Sequence, residues 1–202
     1  MKTLFFALLL LSNALSAQTL DHLKKLVIIG DSLTEGYGVS KNSAFPQLIE
    51  KKLNEKSQTW QVVNSGVSGS TTASALSRVR WVLKNKPDLL LIILGANDGL
   101  RGLKTEQSEK NLAEAIELAQ KSKVKVILGG LYMPPNYGKE YTQQFKIMYS
   151  HLAKKYKVYL VPFILEKVAG DPTLNQADGL HPNEEGHKII ADTIYNSIKD
   201  QL

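Results

Sequence analysis

The sequence predicts an α/β fold built on a doubly wound parallel sheet. Apolar, β-rich runs alternate with segments of helical period along the whole chain after its first residues. One of those runs, "DLLLIILG" (88–95), is apolar at nearly every position, as expected of a parallel strand covered on both faces. No internal repeat, linker or low-complexity tract interrupts the alternation, and 202 residues suit one domain with a sizeable core.

Five strands are expected: "KLVIIG" (25–30), "WQVVN" (60–64), 88–95, "VKVILGG" (124–130) and "KVYLVP" (157–162). Helices are expected over 43–56, 71–85, 105–122 and 141–156, each with apolar residues at helical spacing. Leu112, Ala115, Ile116 and Ala119 form one such stripe. A last helix over 183–199 starts at Asn183 as N-cap, carries Glu184 and Glu185 in its first turn, and buries Ile190, Ala191, Ile194, Tyr195 and Ile198. Strand–helix–strand units of this kind cross over right-handed.

The N-terminus stands apart. Lys2 precedes an unbroken apolar run from Leu4 to Leu11, and small residues follow at Ala14, Ser16 and Ala17. This is the pattern of a secretory signal over residues 1–17, with cleavage after Ser16 or Ala17, followed by a single domain over 18–202. The chain has no cysteine, which excludes disulfides and a lipid-modified N-terminal cysteine. The formal charge is +6, with lysines scattered in short doublets. No basic stripe interleaved with aromatics supports nucleic-acid binding. A mildly positive surface suits anionic substrates or transient contact with a membrane surface.

In a doubly wound sheet, ligands bind beyond the carboxyl ends of the strands. The polar residues collect there. "GDSLTEGYG" follows the first strand, "NSGVSGSTT" ends the second, "GANDGLRG" follows the third, "LYMPPNYG" the fourth, and "DGLHPNEEG" opens the last helix. Each segment alone reads equally well as a loop. Gly66 suits a backbone position needing positive φ, Asn97 and Asp98 suit turns, Asp178 suits an Asx-turn, and Gly30 suits a sharp exit from the strand. Together they supply the parts of an acyl-transfer site. Ser32 needs a base, His is the side chain tuned for that near neutral pH, and Asp178 three residues before His181 can reach the far ring nitrogen. Asp31 is expected to bond the loop backbone and to stand outside this trio. His22, His151 and His187 are read as structural or solvated, and no histidine spacing implies a metal.

Four of these segments in order, "GDSLTEGYG", "NSGVSGSTT", "GANDGLRG" and "DGLHPNEEG", resemble the blocks of the SGNH (GDSL) hydrolases, and the resemblance covers nearly the whole mature chain. "GANDGLRG" and "PPNYG" are closest to the subgroup of bacterial periplasmic thioesterases and lysophospholipases also called arylesterases. The resemblance implies a flavodoxin-like three-layer α/β/α sandwich with a five-stranded parallel sheet. It implies Ser32 as nucleophile, His181 as base and Asp178 as its orienting acid. The oxyanion hole it implies consists of the Ser32 N–H, the Gly66 N–H and the Asn97 amide. Met133 and Asn136 are implied to line the acyl groove, although the subgroup carries an arginine where Tyr132 stands. Arg101 is either a loop cation or a contact for an anionic head group.

The activity implied is an exported, periplasmic or secreted, monomeric serine esterase and thioesterase acting on small acyl substrates: lysophospholipids, aryl or short acyl esters and acyl thioesters. It requires neither cofactor nor nucleic acid. A carbohydrate O-deacetylase on the same scaffold and a non-catalytic ligand-binding domain are the alternatives.

Overall fold

The computed structural model describes residues 23–56 and 59–202. The expected signal segment, its expected cleavage site and His22 lie outside the described residues. Five strands, β1 (Lys24–Gly30), β2 (Trp60–Gly66), β3 (Leu89–Ile93), β4 (Lys125–Gly129) and β5 (Tyr159–Val161), form one sheet in the order β2-β1-β3-β4-β5. Every pairing is parallel. The chain reverses its direction of winding between β1 and β3, so the crevice beyond their carboxyl ends is the switch point at which such sheets bind ligands.

Among the described residues, seven α-helices accompany the sheet: α1 (Ser32–Glu35), α2 (Phe45–Leu53), α3 (Ala75–Val82), α4 (Ala96–Leu100), α5 (Thr105–Lys121), α6 (Lys139–Tyr156) and α7 (Glu184–Ile198). α2 packs on α7, while α3, α5 and α6 pack side by side on one another. The result is the three-layer sandwich expected from the sequence. β3 is buried along its full length, and α5 buries the predicted stripe of Leu112, Ala115, Ile116 and Ala119. Asn183 caps α7 by accepting from the Gly186 N–H. Tyr195, expected in the core, is only half-buried, with the Lys52 ammonium 6.0 Å from its ring centre.

The two shortest helices, α1 and α4, are absent from the sequence-based expectation, which assigns their residues to loops. They are too short to show a helical period. α1 forms because the Asp31 carboxylate caps it, accepting from the Leu33 N–H at 3.0 Å, and it ends where Gly36 turns left-handed. The helix expected over 71–85 is α-helical only in its centre, with 3-10 turns over Thr72–Ser74 and Leu83–Asn85.

Gly30 needs a different explanation from the expected sharp exit. It has no left-handed backbone, but a Cβ there would lie 1.8 Å from Thr34 Oγ1 and 3.1 Å from the Ile93 carbonyl oxygen. Close packing of α1 on the end of β1 requires it to lack a side chain.

His187 is buried on α7. Its Nδ1 accepts from the Phe45 N–H at 3.3 Å, so it completes the start of α2. Burial pushes its pKa down to about 4. The unfolded chain takes up this proton below pH 6.5 and the folded chain does not, so His187 destabilises the fold as pH falls from 6.5 towards 4. The expected effect is about 2–3 kcal/mol. It is checked by urea unfolding of wild type and His187→Gln across that range: the wild-type curve should fall relative to the variant, and parallel curves would refute it.

Candidate active site

The groups expected at the strand ends meet at the carboxyl edge of β1 and β3. Ser32 opens α1, and its N–H donates to no protein acceptor among the described residues. Its Oγ lies 3.0 Å from His181 Nε2. The other ring nitrogen, His181 Nδ1, is 2.6 Å from Asp178 Oδ2. A carboxylate can only accept, so this contact places the neutral ring's proton on Nδ1 and leaves Nε2 bare to accept from Ser32.

Asp178 also shapes the loop that carries His181. Its Oδ1 accepts from the Leu180 N–H at 2.9 Å and the His181 N–H at 3.0 Å. The His181 N–H, the His181 ring and the Leu180 N–H hold its pKa down to about 2. The loop is tied to the opposite wall through Gln176, whose amide donates to the Tyr37 carbonyl at 2.7 Å and the Pro182 carbonyl at 3.0 Å. The Tyr37 ring lies against the imidazole, with centroids 4.7 Å apart at 44°.

Asp31 is close by and chemically distinct. It is fully buried, and burial pushes its pKa up to about 6. Its Oδ1 caps α1 while its Oδ2 lies 3.4 Å from the Asn97 amide nitrogen. As expected from the sequence, it serves the backbone and does not join the Ser32–His181–Asp178 chain. Arg78 sits beneath, donating to the Gly30 carbonyl at 2.7 Å and to the Ser65 carbonyl.

Asn97 lies on α4. One amide hydrogen is directed to the Ser70 carbonyl at 3.1 Å. The 3.4 Å contact to Asp31 is at the limit of hydrogen bonding, which leaves the other hydrogen available to a better acceptor. The neighbouring Asp98 turns the opposite way into the protein. It accepts from the Thr72 N–H at 2.9 Å, the Thr72 hydroxyl at 2.5 Å and the Ser108 hydroxyl at 2.9 Å.

Gly66 requires a correction. Its N–H already donates to Asn64 Oδ1 at 2.9 Å, so it is not free for an oxyanion. Its φ is not positive either; a Cβ there would lie 2.1 Å from the Glu35 nitrogen. Gly66 is the point at which α1 rests on β2. In the segment that follows, Val67, Ser68, Ser70 and Thr72 donate their N–H groups to Gly30, Glu35, Val67 and Asp98 respectively. Among the described residues, the N–H groups of Gly69 and Thr71 have no protein acceptor.

Beside Ser32 runs a groove of about 670 Å³ with a mostly apolar lining that includes Leu100, Leu131, Met133, Phe163, Leu165 and Leu180. Met133 is buried, its sulfur packed so closely on Gly99 that a Cβ there would lie 2.0 Å away. The other two expected pocket residues are elsewhere. Asn136 is exposed and outside the lining. Arg101 also lies outside it, donating to the Gly69 carbonyl at 3.2 Å. Leu131 and Phe163 escape a reading of the sequence because an apolar side chain just past a strand looks like core there. Among the described residues, no group of three or more His, Asp or Glu is arranged to hold a metal ion.

Residues 28–189 match the GDSL-like Lipase/Acylhydrolase family. The chain is 36% identical over 197 residues to the esterase TesA of Pseudomonas aeruginosa, covering 97% of this chain and 95% of that one. It is 37% identical over 188 residues to thioesterase 1/protease 1/lysophospholipase L1 of Escherichia coli K12, covering 93% and 86%. Its fold is similar to the crystal structure of the psychrotrophic esterase EstA from Pseudoalteromonas sp. inhibited by monoethylphosphonate, with a TM-score of 0.84 and 32% identity over 88% of this chain and 98% of that one. The chain therefore belongs to the GDSL-like lipase/acylhydrolase family and is a hydrolase of the SGNH type.

Proposed function

We propose that this protein is an exported serine hydrolase that cleaves fatty acyl esters and thioesters through an acyl-enzyme on Ser32. The observation that carries the reading is the relay from Ser32 through His181 to Asp178, at the side of an apolar groove. His181 Nε2 takes the hydroxyl proton as Ser32 Oγ bonds to the substrate's carbonyl carbon, and Asp178 stabilises the imidazolium so formed. The oxyanion is met by the Ser32 N–H and the free hydrogen of the Asn97 amide. The loop after β2 supplies a third donor, for which the uncommitted N–H of Gly69, on an exposed left-handed residue, is the candidate. The tetrahedral adduct collapses by breaking the bond to the alcohol or thiol, which leaves with the proton from His181 Nε2. Water then gives up a proton to the same nitrogen, attacks the acyl carbon and releases the fatty acid, and the proton returns to Ser32 Oγ.

The groove suits an acyl chain better than a sugar. Tyr132 is stacked on Phe163 at 4.3 Å and 8°, and the Lys146 ammonium lies over its ring at 4.8 Å. Both faces of Tyr132 are thus occupied, so it offers no stacking platform. The names of the relatives support ester, thioester and lysophospholipid substrates. Export rests on the signal pattern of residues 1–17 and favours lipid or aryl esters over cytoplasmic acyl thioesters as natural substrates. No helix among the described residues is long and apolar enough to cross a membrane. The working form is proposed to be a monomer, free of cofactor, that meets lipid surfaces only transiently.

A fluorophosphonate probe should label Ser32, located by mass spectrometry, and Ser32→Ala should abolish both labelling and turnover. Labelling that persists in the variant would refute the assignment. Comparing a long-chain lysophospholipid, a series of p-nitrophenyl esters and an acetylated sugar tests the substrate class, and preference for the sugar would overturn it. Asn97→Ala should lower kcat by ~10²–10³ with a smaller change in KM.

Asp178 has a second, pH-dependent consequence. Its folded pKa lies below its unfolded value of 3.8, so it stabilises the fold above that value and this contribution disappears as pH falls towards 2. Asp178→Asn should flatten this part of the curve of Tm against pH while lowering kcat by ~10⁴ at neutral pH. An unchanged acid slope would contradict the hydrogen bonding described.

A further inference from the structure

Glu35 has no part in the mechanism above, yet it occupies a singular position. It ends α1, with its backbone seated directly on Gly66, and its side chain is exposed. One carboxylate oxygen, Oε2, accepts both the Ser68 N–H at 2.7 Å and the Ser68 hydroxyl. The next two residues are held from other strand ends. Arg101 donates to the Gly69 carbonyl at 3.2 Å and Asn97 donates to the Ser70 carbonyl at 3.1 Å. A turn closes the segment, with the Ser70 N–H donating to the Val67 carbonyl at 3.2 Å.

Three consecutive residues are therefore gripped by three side chains from outside the loop, and the peptide N–H left free among them is that of Gly69. Gly69 has φ +75, and a Cβ there would meet only Arg101, at 3.9 Å. Nothing packs this residue in place. Its orientation depends on the polar holds on either side. Glu35 is the hold on the N-terminal side and, among the described residues, the one side chain that binds Ser68.

We propose that Glu35 is a positioning residue: by gripping Ser68 it fixes the 68–70 segment, and with it the free Gly69 N–H, for stabilising the oxyanion. This rests on the serine-hydrolase reading above. Glu35 touches no substrate. Its contacts are exposed, where ion and hydrogen-bond pairs contribute little to global stability. Losing them should therefore appear in turnover and leave folding nearly unchanged, because small misplacement of an oxyanion donor is costly.

The test is steady-state hydrolysis of p-nitrophenyl butyrate by wild type, Glu35→Ala and Glu35→Gln, with Tm and inhibition by an alkyl trifluoromethyl ketone measured on each. This ketone adds to the nucleophile and leaves a charged oxygen in the oxyanion hole. Glu35→Ala is expected to lose roughly tenfold in kcat. It should lose a similar factor in ketone affinity, with KM and Tm close to wild type and fluorophosphonate labelling retained. Glu35→Gln, which keeps an acceptor oxygen, should recover most of both losses. A Glu35→Ala enzyme with wild-type kcat overturns the proposal. So does a loss carried by KM or Tm, or one that Glu35→Gln does not restore. If the wild-type protein neither turns over nor labels, the hydrolase reading fails and this proposal falls with it, an outcome distinct from the others.

Discussion

The site depends on a backbone contact that two missing side chains permit. α1 lies across the ends of β1 and β2 because Gly30 and Gly66, paired in register, present no Cβ. At Gly30 a methyl group would strike Thr34, and at Gly66 it would strike the backbone of Glu35. With α1 seated, Ser32 lines the groove, and Asp31 is driven into the interior where it caps the same helix. The placement of Ser32 is thus a consequence of sheet register. A larger residue at either position would tilt α1 and misplace Ser32 before it disturbed the core.

A second fixed point acts from the opposite side of the switch crevice. Asp98 is buried and accepts three hydrogen bonds, two from Thr72 and one from Ser108. Satisfying a buried carboxylate so fully makes it an anchor. It joins α4 to the segment after β2 and to α5, and it leaves its neighbour Asn97 facing the site. Asn97 and Asp98 divide by direction: the Asp98 side chain is committed inward to architecture and the Asn97 side chain faces the site.

How much of this was legible in the sequence follows from what each feature looks like locally. The buried strands and the Ile190–Ile198 face of α7 are legible because burial imposes a period on them. Ser32, Asp178 and His181 are legible because chemistry restricts the residue types and the topology restricts where they meet. Gly66 was misread because a glycine needed for close approach and a glycine needed for an exposed N–H look the same in one dimension. Only the hydrogen bond from its nitrogen to Asn64 separates them. Asn136 and Met133 share one short loop, but a bend at Pro134 and Pro135 sends Met133 to the groove floor and leaves Asn136 in solvent. Loop side chains follow no period, so no spacing rule distinguishes the two.

The site's two nearest carboxyls show how environment assigns function to a common residue type. Asp178, near the surface and holding two N–H groups and the imidazole, remains ionised down to about pH 2. Asp31, buried, holds its proton up to about pH 6. In the proposed mechanism the exposed group is thus a permanent partner for the imidazolium that the relay generates. The buried one would be a poor relay acid in the same place, since burial disfavours the anion that the imidazolium needs. Asp31 also reverses the usual stability slope. Its folded pKa lies above its unfolded one, so the folded chain takes up this proton first as pH falls through 6, and the fold is stabilised down to about pH 4. His187 pulls the other way over the same interval. The contributions of these two buried groups of opposite type therefore offset each other between pH 6 and 4.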